Sequence, residues 1–560
     1  MKLTRRQFGV LCGGAAMAEA VSQGWPVRAA GQGLGGDLGG GLTGKTLTEL
    51  SGMVRAKTVT STELVKALLD RIDVINPKVN AIVTVMRKEA LAQAAVLDAE
   101  QKAGKFRGPL HGIPLVLKDN IDTAGTRTTA ASPMFKDRIP GEDAAIVARL
   151  KKSGAIILGK ANLHEFAIGC TGDISYFGPA RNPWALDHIT GGSSSGSAAA
   201  LAAQLIPGAL GTDTGGSIRC PSAWCGTVGL KPTIGLVSIR GIIPCRASAD
   251  HCGPMARTVE DVALMLGEMA GYDPLDIYSV QNPMNGGAPV DYVKAMREPV
   301  KSLRLGTPLS FYDHVDPEIE AAVKAAIKVL EGLTAGVTSE APLWEGLIGD
   351  TTGEQEEYHH ELIEKYGLSY MLPDRTRFER MENPPPGTKF ATAMESVKAH
   401  EQLAITRRMI DSHFTDFDVV VVPTTVMQAG KINDSLAQEA RSAPPTGKVY
   451  NWFETGGGCT NTRAFDLFGI PAITVPCGFT KAGLPIGLMI AAPHFQEGRV
   501  LALAYAYQEA TEWHKRVPKL DAGTVVPPIV EGVVPKAEDG KDSKGSKDDA
   551  KEPKDVMEPK

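Results

Sequence analysis

Residues 191–219 read GGSSSGSAAALAAQLIPGALGTDTGGSIR, two serine–glycine clusters joined by a run of small residues. The joining run is rich in alanine, so it is expected to form a tightly packed buried helix. The second cluster, Thr212-Asp213-Thr214-Gly215-Gly216-Ser217, sets two glycines before a serine. Glycine frees the backbone to turn until several N–H groups converge, and such a nest beside a hydroxyl can stabilise an oxyanion. Helix-like residues after Ser217 would add the positive end of a dipole. A serine nucleophile still needs a base. Upstream, the apolar strand Gly112-Ile113-Pro114-Leu115-Val116-Leu117 ends on Lys118. A lysine held away from water loses its charge more readily and can then accept a proton.

Working outward, short apolar runs at Ile113–Leu117, Ala155–Leu158, Val419–Val422 and Ala472–Val475 are bounded by glycine and proline and read as buried strands. Helical patterns alternate with them. One runs from about Thr62 with Ser61 as its cap and ends at Asn76-Pro77, and another spans about 87–103. Strand–helix alternation predicts an α/β fold. Residues 340–400, with His359-His360 and Pro384-Pro385-Pro386, suggest helices on a peripheral insertion. The chain has 560 residues, 43% hydrophobic and 22% charged, with a net charge of −5. That excludes disordered, collagenous and disulfide-scaffold classes and gives no basic footprint for nucleic acid. No window reaches the ~18 apolar residues of a membrane span.

The two ends read differently. Thr4-Arg5-Arg6-Gln7-Phe8 precedes a short apolar stretch and resembles a twin-arginine export signal over residues 1–30, which predicts a periplasmic or secreted protein. Residues 31–45 read as a glycine-rich linker, 46–520 as the catalytic domain, and 521–560 as a charged, disordered tail. Gly39–Thr46 (GGGLTGKT) satisfies the phosphate-loop pattern but lacks the strand that must enter such a loop. Apart from Cys12, the cysteines are Cys170, Cys220, Cys225, Cys245, Cys252, Cys459 and Cys477, without the close spacing of a zinc site. No metal or cofactor is expected. A Cys245–Cys252 disulfide is compatible with export but not determined by the spacing.

The chain resembles the amidase signature family of serine hydrolases. The resemblance rests on HGIPLVLKDNID at 111–122, GGSSSGSAAA at 191–200, GALGTDTGGSIRCPSAWCGTVGLKPTIGLVS at 208–238, GPMARTVEDVALML at 253–266 and FGIPAITVPCGFTKAGLPIGLMI at 468–490. It implies one large α/β domain with a mixed sheet between helices and a Ser-cisSer-Lys triad. In that reading Ser217 is the nucleophile, Lys118 the base, and Ser193, after a cis bond from Gly192, the bridge. The N–H groups of Thr214, Gly215, Gly216 and Ser217 would hold the oxyanion, and Ser194, Asp213 and Arg219 would position the machinery. Ser195 stands where many members carry glycine.

The implied activity is hydrolysis of a carboxylic amide to an acid plus ammonia or an amine, on a small-molecule substrate. The family also includes the A-component of the tRNA-dependent amidotransferase, a second setting for the same chemistry. A third reading starts from Gly192-Ser193-Ser194-Ser195-Gly196, which matches the G-x-S-x-G nucleophile elbow with Ser194 at its centre. That elbow needs a good strand before it, and Ala185–Thr190 is a poor one. Gly169 and Cys170, and Tyr450, Trp452 and Phe453 beside Gly456-Gly457-Gly458, are candidate pocket residues with a packing role as the alternative. Oligomeric state is open, a homodimer being the commonest alternative to a monomer.

Overall fold

Three helices open the compact unit, and their caps are written in the sequence. A computed structural model describes residues 41–530, apart from 342, 344–352, short stretches between 372 and 391, and 443–457. The compact unit begins at Leu42. Helix α1 (Leu47–Arg55) is entered through a capping box in which Thr46 accepts from the Glu49 N–H and the Glu49 carboxylate accepts from the Thr46 N–H. This is what the last residues of GGGLTGKT do: Thr46 caps a helix and Lys45 pairs with Glu49 at 3.0 Å.

Helix α2 (Ser61–Val79) has Thr60, not Ser61, as its cap, with Glu63 closing the box. It also runs through Asn76-Pro77, where the sequence suggested an end. Proline in the final turn removes only one intrahelical bond, and the chain leaves the helix three residues later at Asn80, in the left-handed region with φ of 49°. The Asn76 side chain holds that exit by accepting from Ala81 and Ile82 and donating to the Ile82 carbonyl. Helix α3 (Arg87–Lys102) lies where its pattern put it.

The strands are β1 (Ile82–Val85), β2 (Pro114–Lys118), β3 (Ile156–Ala161), β4 (Arg181–Asn182), β5 (Ala185–Ile189), β6 (Gly208–Asp213), β7 (Val228–Lys231), β8 (His251–Ala256), β9 (Leu305–Gly306), β10 (Val337–Ser339), β11 (Val419–Pro423), β12 (Ala472–Phe479) and β13 (Pro485–Ala491). Eleven form one mixed sheet in the order β1-β3-β2-β6-β8-β7-β12-β13-β11-β9-β10, and β4 and β5 pair separately. Strands β2, β3, β6, β7, β8 and β11 are buried along their whole length, and for β2, β3 and β11 that burial is what the short apolar runs in the sequence express.

One pairing sets the site. Strands β2 and β6 are parallel, with Leu117 opposite Leu210, so Lys118 and Asp213 finish at the same sheet edge. Strand β8 runs antiparallel to β6 and begins there, with His251 opposite Asp213. The carboxyl ends of parallel strands are where such sheets open a crevice.

Helix α4 (Ser195–Ala202) is the small-residue helix anticipated from the sequence, and every residue in it is buried. Helix α5 (Arg219–Cys225) follows Ser217 and is equally buried. Helices α6 (Glu354–Tyr366) and α7 (Ala393–Met409) belong to the 340–400 segment, which is less peripheral than its composition suggested. His359 of α6 is fully buried, stacks on Phe378 at 4.1 Å between centroids and bonds the Tyr370 hydroxyl at 2.8 Å. Phe166 meets its ring edge-on, so the segment is docked beside residues 130–168. Helix α8 (Arg463–Phe468) leads into β12 and bears on the site described below.

Gly196 tests the packing of α4. A Cβ there would lie 2.2 Å from the Ala81 carbonyl oxygen and 2.4 Å from the Asn162 nitrogen, both backbone atoms. Alanine is the better helix former by about 1 kcal/mol, yet Gly196→Ala is expected to destabilise the fold by about 1–3 kcal/mol through overpacking. A lower urea midpoint at unchanged slope is the expected result, and an unchanged or higher midpoint would contradict this packing.

Candidate active site

Lys118 ends β2 without any exposed surface. Its Nζ donates to Ser193 Oγ at 2.6 Å, to Thr212 Oγ1 at 2.8 Å and to the Thr212 carbonyl at 3.3 Å. Burial pulls the amine down to about 7 and outweighs Cys245, Asp213 and Asp250, which favour the charged form. Asn120, two residues on, donates to the same Thr212 hydroxyl at 3.2 Å and fixes its direction.

Ser193 follows a cis peptide bond from Gly192. The loop Gly169-Cys170-Thr171-Gly172 lies behind that bond, and the Gly192 N–H donates to the Cys170 carbonyl at 2.8 Å. The next residue ties the two serine clusters together: the Ser194 N–H donates to the Ser217 carbonyl at 3.1 Å. The Ser194 hydroxyl is buried and committed to the main chain of Thr212 on both its N–H and its C=O. The strand before it, β5, belongs to the separate two-stranded ribbon. The elbow arrangement around Ser194 is therefore not what this geometry presents.

Ser217 is 8% exposed and has no hydrogen-bond partner for its hydroxyl among the described residues. The turn before it is held by Asp213. One carboxylate oxygen accepts the Gly216 N–H at 2.5 Å, and the other accepts the Ile218 N–H at 3.0 Å. The N–H groups of Thr214, Gly215 and Ser217 take no backbone acceptor among the described residues, whereas that of Gly216 is engaged. Arg219 grips Asp213 through Nε at 2.9 Å and Nη2 at 3.1 Å, and reaches Asp466 with Nη2 at 2.5 Å. Burial alone would raise the Asp213 carboxyl, but the guanidinium holds it far below the usual carboxylate range. Burial likewise opposes the charge on Arg219, and the two carboxylates outweigh it.

Lys118, Ser193, Ser217, Thr214, Gly215, Gly216, Ser194, Asp213 and Arg219 thus lie in one bonded network, with Gly169 and Cys170 against its back. Tyr450, Trp452 and Phe453 fall outside the described residues. Several participants were given no role by the sequence. Thr212 bonds Lys118, Asp250 accepts from the Thr214 hydroxyl at 2.5 Å, and Thr462 and Asp466 arrive from almost the far end of the chain. His164, buried under Gly169, is pushed down to about 3 by burial and by the neighbouring Lys118.

The Cys459 thiol, facing Cys170, draws Cys170 below its ordinary value against the effect of burial. All cysteines among the described residues are free, Cys245 and Cys252 included. No group of metal-ligating side chains gathers among the described residues, and no helix there is long and apolar enough to cross a membrane.

Comparison with known proteins decides the family. Residues 63–343 and 354–501 match the Amidase family. The chain belongs to that family. Amidase relatives include the A-component of glutamyl-tRNA(Gln) amidotransferase from Alkalilimnicola ehrlichii, 36% identical over 502 residues, covering 85% of this chain and 99% of that protein. The corresponding amidotransferase component of a Roseiflexus species is 38% identical over 506 residues, covering 85% and 98%. Among solved structures, 6-aminohexanoate cyclic dimer hydrolase complexed with substrate aligns with a TM-score of 0.74 at 26% identity, covering 85% of this chain and 99% of its own. The native peptide amidase from Stenotrophomonas maltophilia aligns at 0.66 with 32% identity, covering 85% and 98%.

These amidase relatives correct one expectation. The amidotransferase components are named for glutamyl-tRNA, a molecule of the cytoplasm, which overturns the periplasmic or secreted placement drawn from Thr4–Phe8. An arginine pair before a brief apolar stretch is too short a pattern to specify export by itself. Residues 1–40, the export motif among them, and the tail beyond 530 lie outside the described residues.

The Asp213–Arg219 pair makes a testable statement. Removing one partner of a buried ion pair leaves an uncompensated charge, so Asp213→Ala is expected to cost about 3–5 kcal/mol. Urea unfolding measures it, and a loss within error of zero would mean that Asp466 alone neutralises Arg219.

Proposed function

We propose that this amidase hydrolyses a carboxamide through an acyl-enzyme on Ser217, with Ser193 and Lys118 relaying the proton. The observation that carries the reading is the 2.6 Å bond from a fully buried lysine, poised near neutrality, to Ser193 beside the Ser217 turn. Neutral Lys118 keeps its two N–H groups for Thr212 and turns its lone pair to Ser193, so it accepts the Ser193 proton as Ser193 takes the proton of Ser217, whose oxygen attacks the amide carbon. The tetrahedral oxyanion is met by the N–H groups of Thr214, Gly215 and Ser217, since Gly216 donates to Asp213. Collapse expels ammonia or an amine, which takes the proton back through Ser193. Water then releases the acid from Ser217. Ser217 moves into bonding distance of Ser193 when substrate fills the site, as catalytic hydrogen bonds commonly tighten only in the complex. Gly169 and Cys170 edge the acyl pocket in this reading.

Two settings suit this chemistry. Peptide amidase and the cyclic dimer hydrolase are likenesses in which an amide itself is the substrate. The sequence relatives favour the other, a component like the A-chain of an amidotransferase, because they match over 98–99% of their length. There the nitrogen released from an amide passes to a second carboxyl group. Ammonia release from small amides by the purified chain, with and without added glutamyl-tRNA and partner proteins, separates them. Activity that appears only with the partners supports the amidotransferase setting, and full activity alone supports the hydrolase.

Fluorophosphonate labelling with peptide mapping tests the nucleophile. Adduct is expected on Ser217 and absent in Ser217→Ala, and adduct on another serine would refute the assignment. The base has its own signature. Only the neutral amine accepts a proton, and Lys118 is neutral above about 7. So kcat/KM is expected to rise with pH through an acid limb near that value. Lys118→Ala should lose about 10²–10⁴-fold of the rate, and an intact limb in that variant would exclude Lys118 as its origin.

A further inference from the structure

We infer that Thr462, the residue that caps α8, and Asp466, one turn into that helix, are positioning residues for the Ser217 turn; the inference rests on the reading of Ser217 as nucleophile. Residues four apart share a helix face, and both of these face the turn. The Thr462 hydroxyl lies 2.7 Å from the Gly215 carbonyl and 2.7 Å from the Cys459 carbonyl. A hydroxyl has one proton to give. The Cys459 carbonyl also receives the Thr462 N–H at 3.1 Å, whereas the Gly215 carbonyl has no other donor among the described residues, so the hydroxyl proton is assigned to Gly215.

The Gly215 carbonyl and the Gly216 N–H are the two ends of one peptide plane. Thr462 holds the first end and Asp213 the second, at 2.5 Å. Asp213 is held by Arg219, and Arg219 by the Thr462 carbonyl at 2.9 Å and the Asp466 carboxylate at 2.5 Å. The bonds close into a ring that begins and ends on Thr462. All the side chains in the ring are buried.

The turn needs such a ring because it has no stiffness of its own. Gly215 and Gly216 carry no Cβ, Gly216 sits at φ of 128°, and nothing within 4 Å would meet a Cβ at Gly215. An unheld plane between two glycines can rotate, carrying the flanking N–H donors and the Ser217 hydroxyl out of register. The contact also explains Gly216, where a Cβ would stand 2.1 Å from Thr462 Oγ1.

Thr462→Val keeps the volume and removes the proton, and Thr462→Ser returns it. The readouts are the rate of fluorophosphonate labelling at Ser217, kcat and KM on one amide, and the urea midpoint. Thr462→Val is expected to slow labelling and lower kcat by about a hundredfold, with KM within about twofold, because a misaligned nucleophile loses rate rather than affinity. Thr462→Ser should recover most of both. Wild-type labelling in Thr462→Val, or Thr462→Ser as slow as Thr462→Val, would overturn the inference in favour of plain packing. Should Thr462→Val not fold, Asp466→Ala decides, since it removes the oxygen that holds Arg219 Nη2. Its labelling at the wild-type rate would overturn the inference. If the wild-type chain takes no adduct on Ser217 while another serine does, the nucleophile reading has failed rather than the ring.

Discussion

A guanidinium with no exposed surface has to be neutralised where it sits, and Arg219 is such a group. The free energy of leaving it unpaired is far larger than that of any one hydrogen bond in the site. Asp213, held far below the usual carboxylate range, supplies the countercharge from the end of β6, and Asp466 from α8 bonds the same guanidinium although burial and the nearby Asp213 push its own carboxyl well up. Because both are fixed by that charge, everything they hold is fixed as well: the Gly216 and Ile218 N–H groups on one side, the start of α8 on the other. The reactive turn is a consequence of this pairing, since a sequence of glycine, glycine and serine would otherwise wander.

Lys118 presents the opposite solution to the same problem. It is as buried as Arg219, but its three nearest partners are hydroxyl and carbonyl oxygens rather than a carboxylate. With no contacting anion to balance it, desolvation wins and the amine is held near neutrality. The end of β2 and the start of α5 thus carry one cation that is easily discharged and one kept charged, and the difference lies in which of them meets carboxylates. Asp213 favours the charged amine through space but makes no contact with it, and burial outweighs that effect.

Much of the fold was legible. The runs that became β2, β3, β11 and β12 are apolar and bounded by turn residues, and α3 and α4 follow from composition alone. The boundaries that went astray have local causes: Thr60 out-competed Ser61 as a cap because Glu63 completes its box, and Pro77 was tolerated in a last turn. Residues 340–400 looked peripheral because their buried partners, Phe166 among them, are remote in sequence. Around the site, Lys118, Ser193, Asp213 and Ser217 stand in two short, unusual segments and could be read directly. Thr462 and Asp466 could not, because a threonine before an ordinary amphipathic turn looks like any other helix start.

The sequence by itself therefore determined the α/β alternation, the buried small-residue helix and the two glycine–serine segments, since each depends on composition and spacing within a few residues. Only the tertiary structure decided which N–H groups of the turn are free, why Gly216 must be glycine and what keeps the 215–216 plane in place. The first depends on the rotamer in which Arg219 holds Asp213, and the other two on contacts across 247 residues of chain. Such contacts exist only once the sheet has brought the two ends of the site to the same edge, because a hydrogen bond is decided by fractions of an ångström that no local pattern encodes.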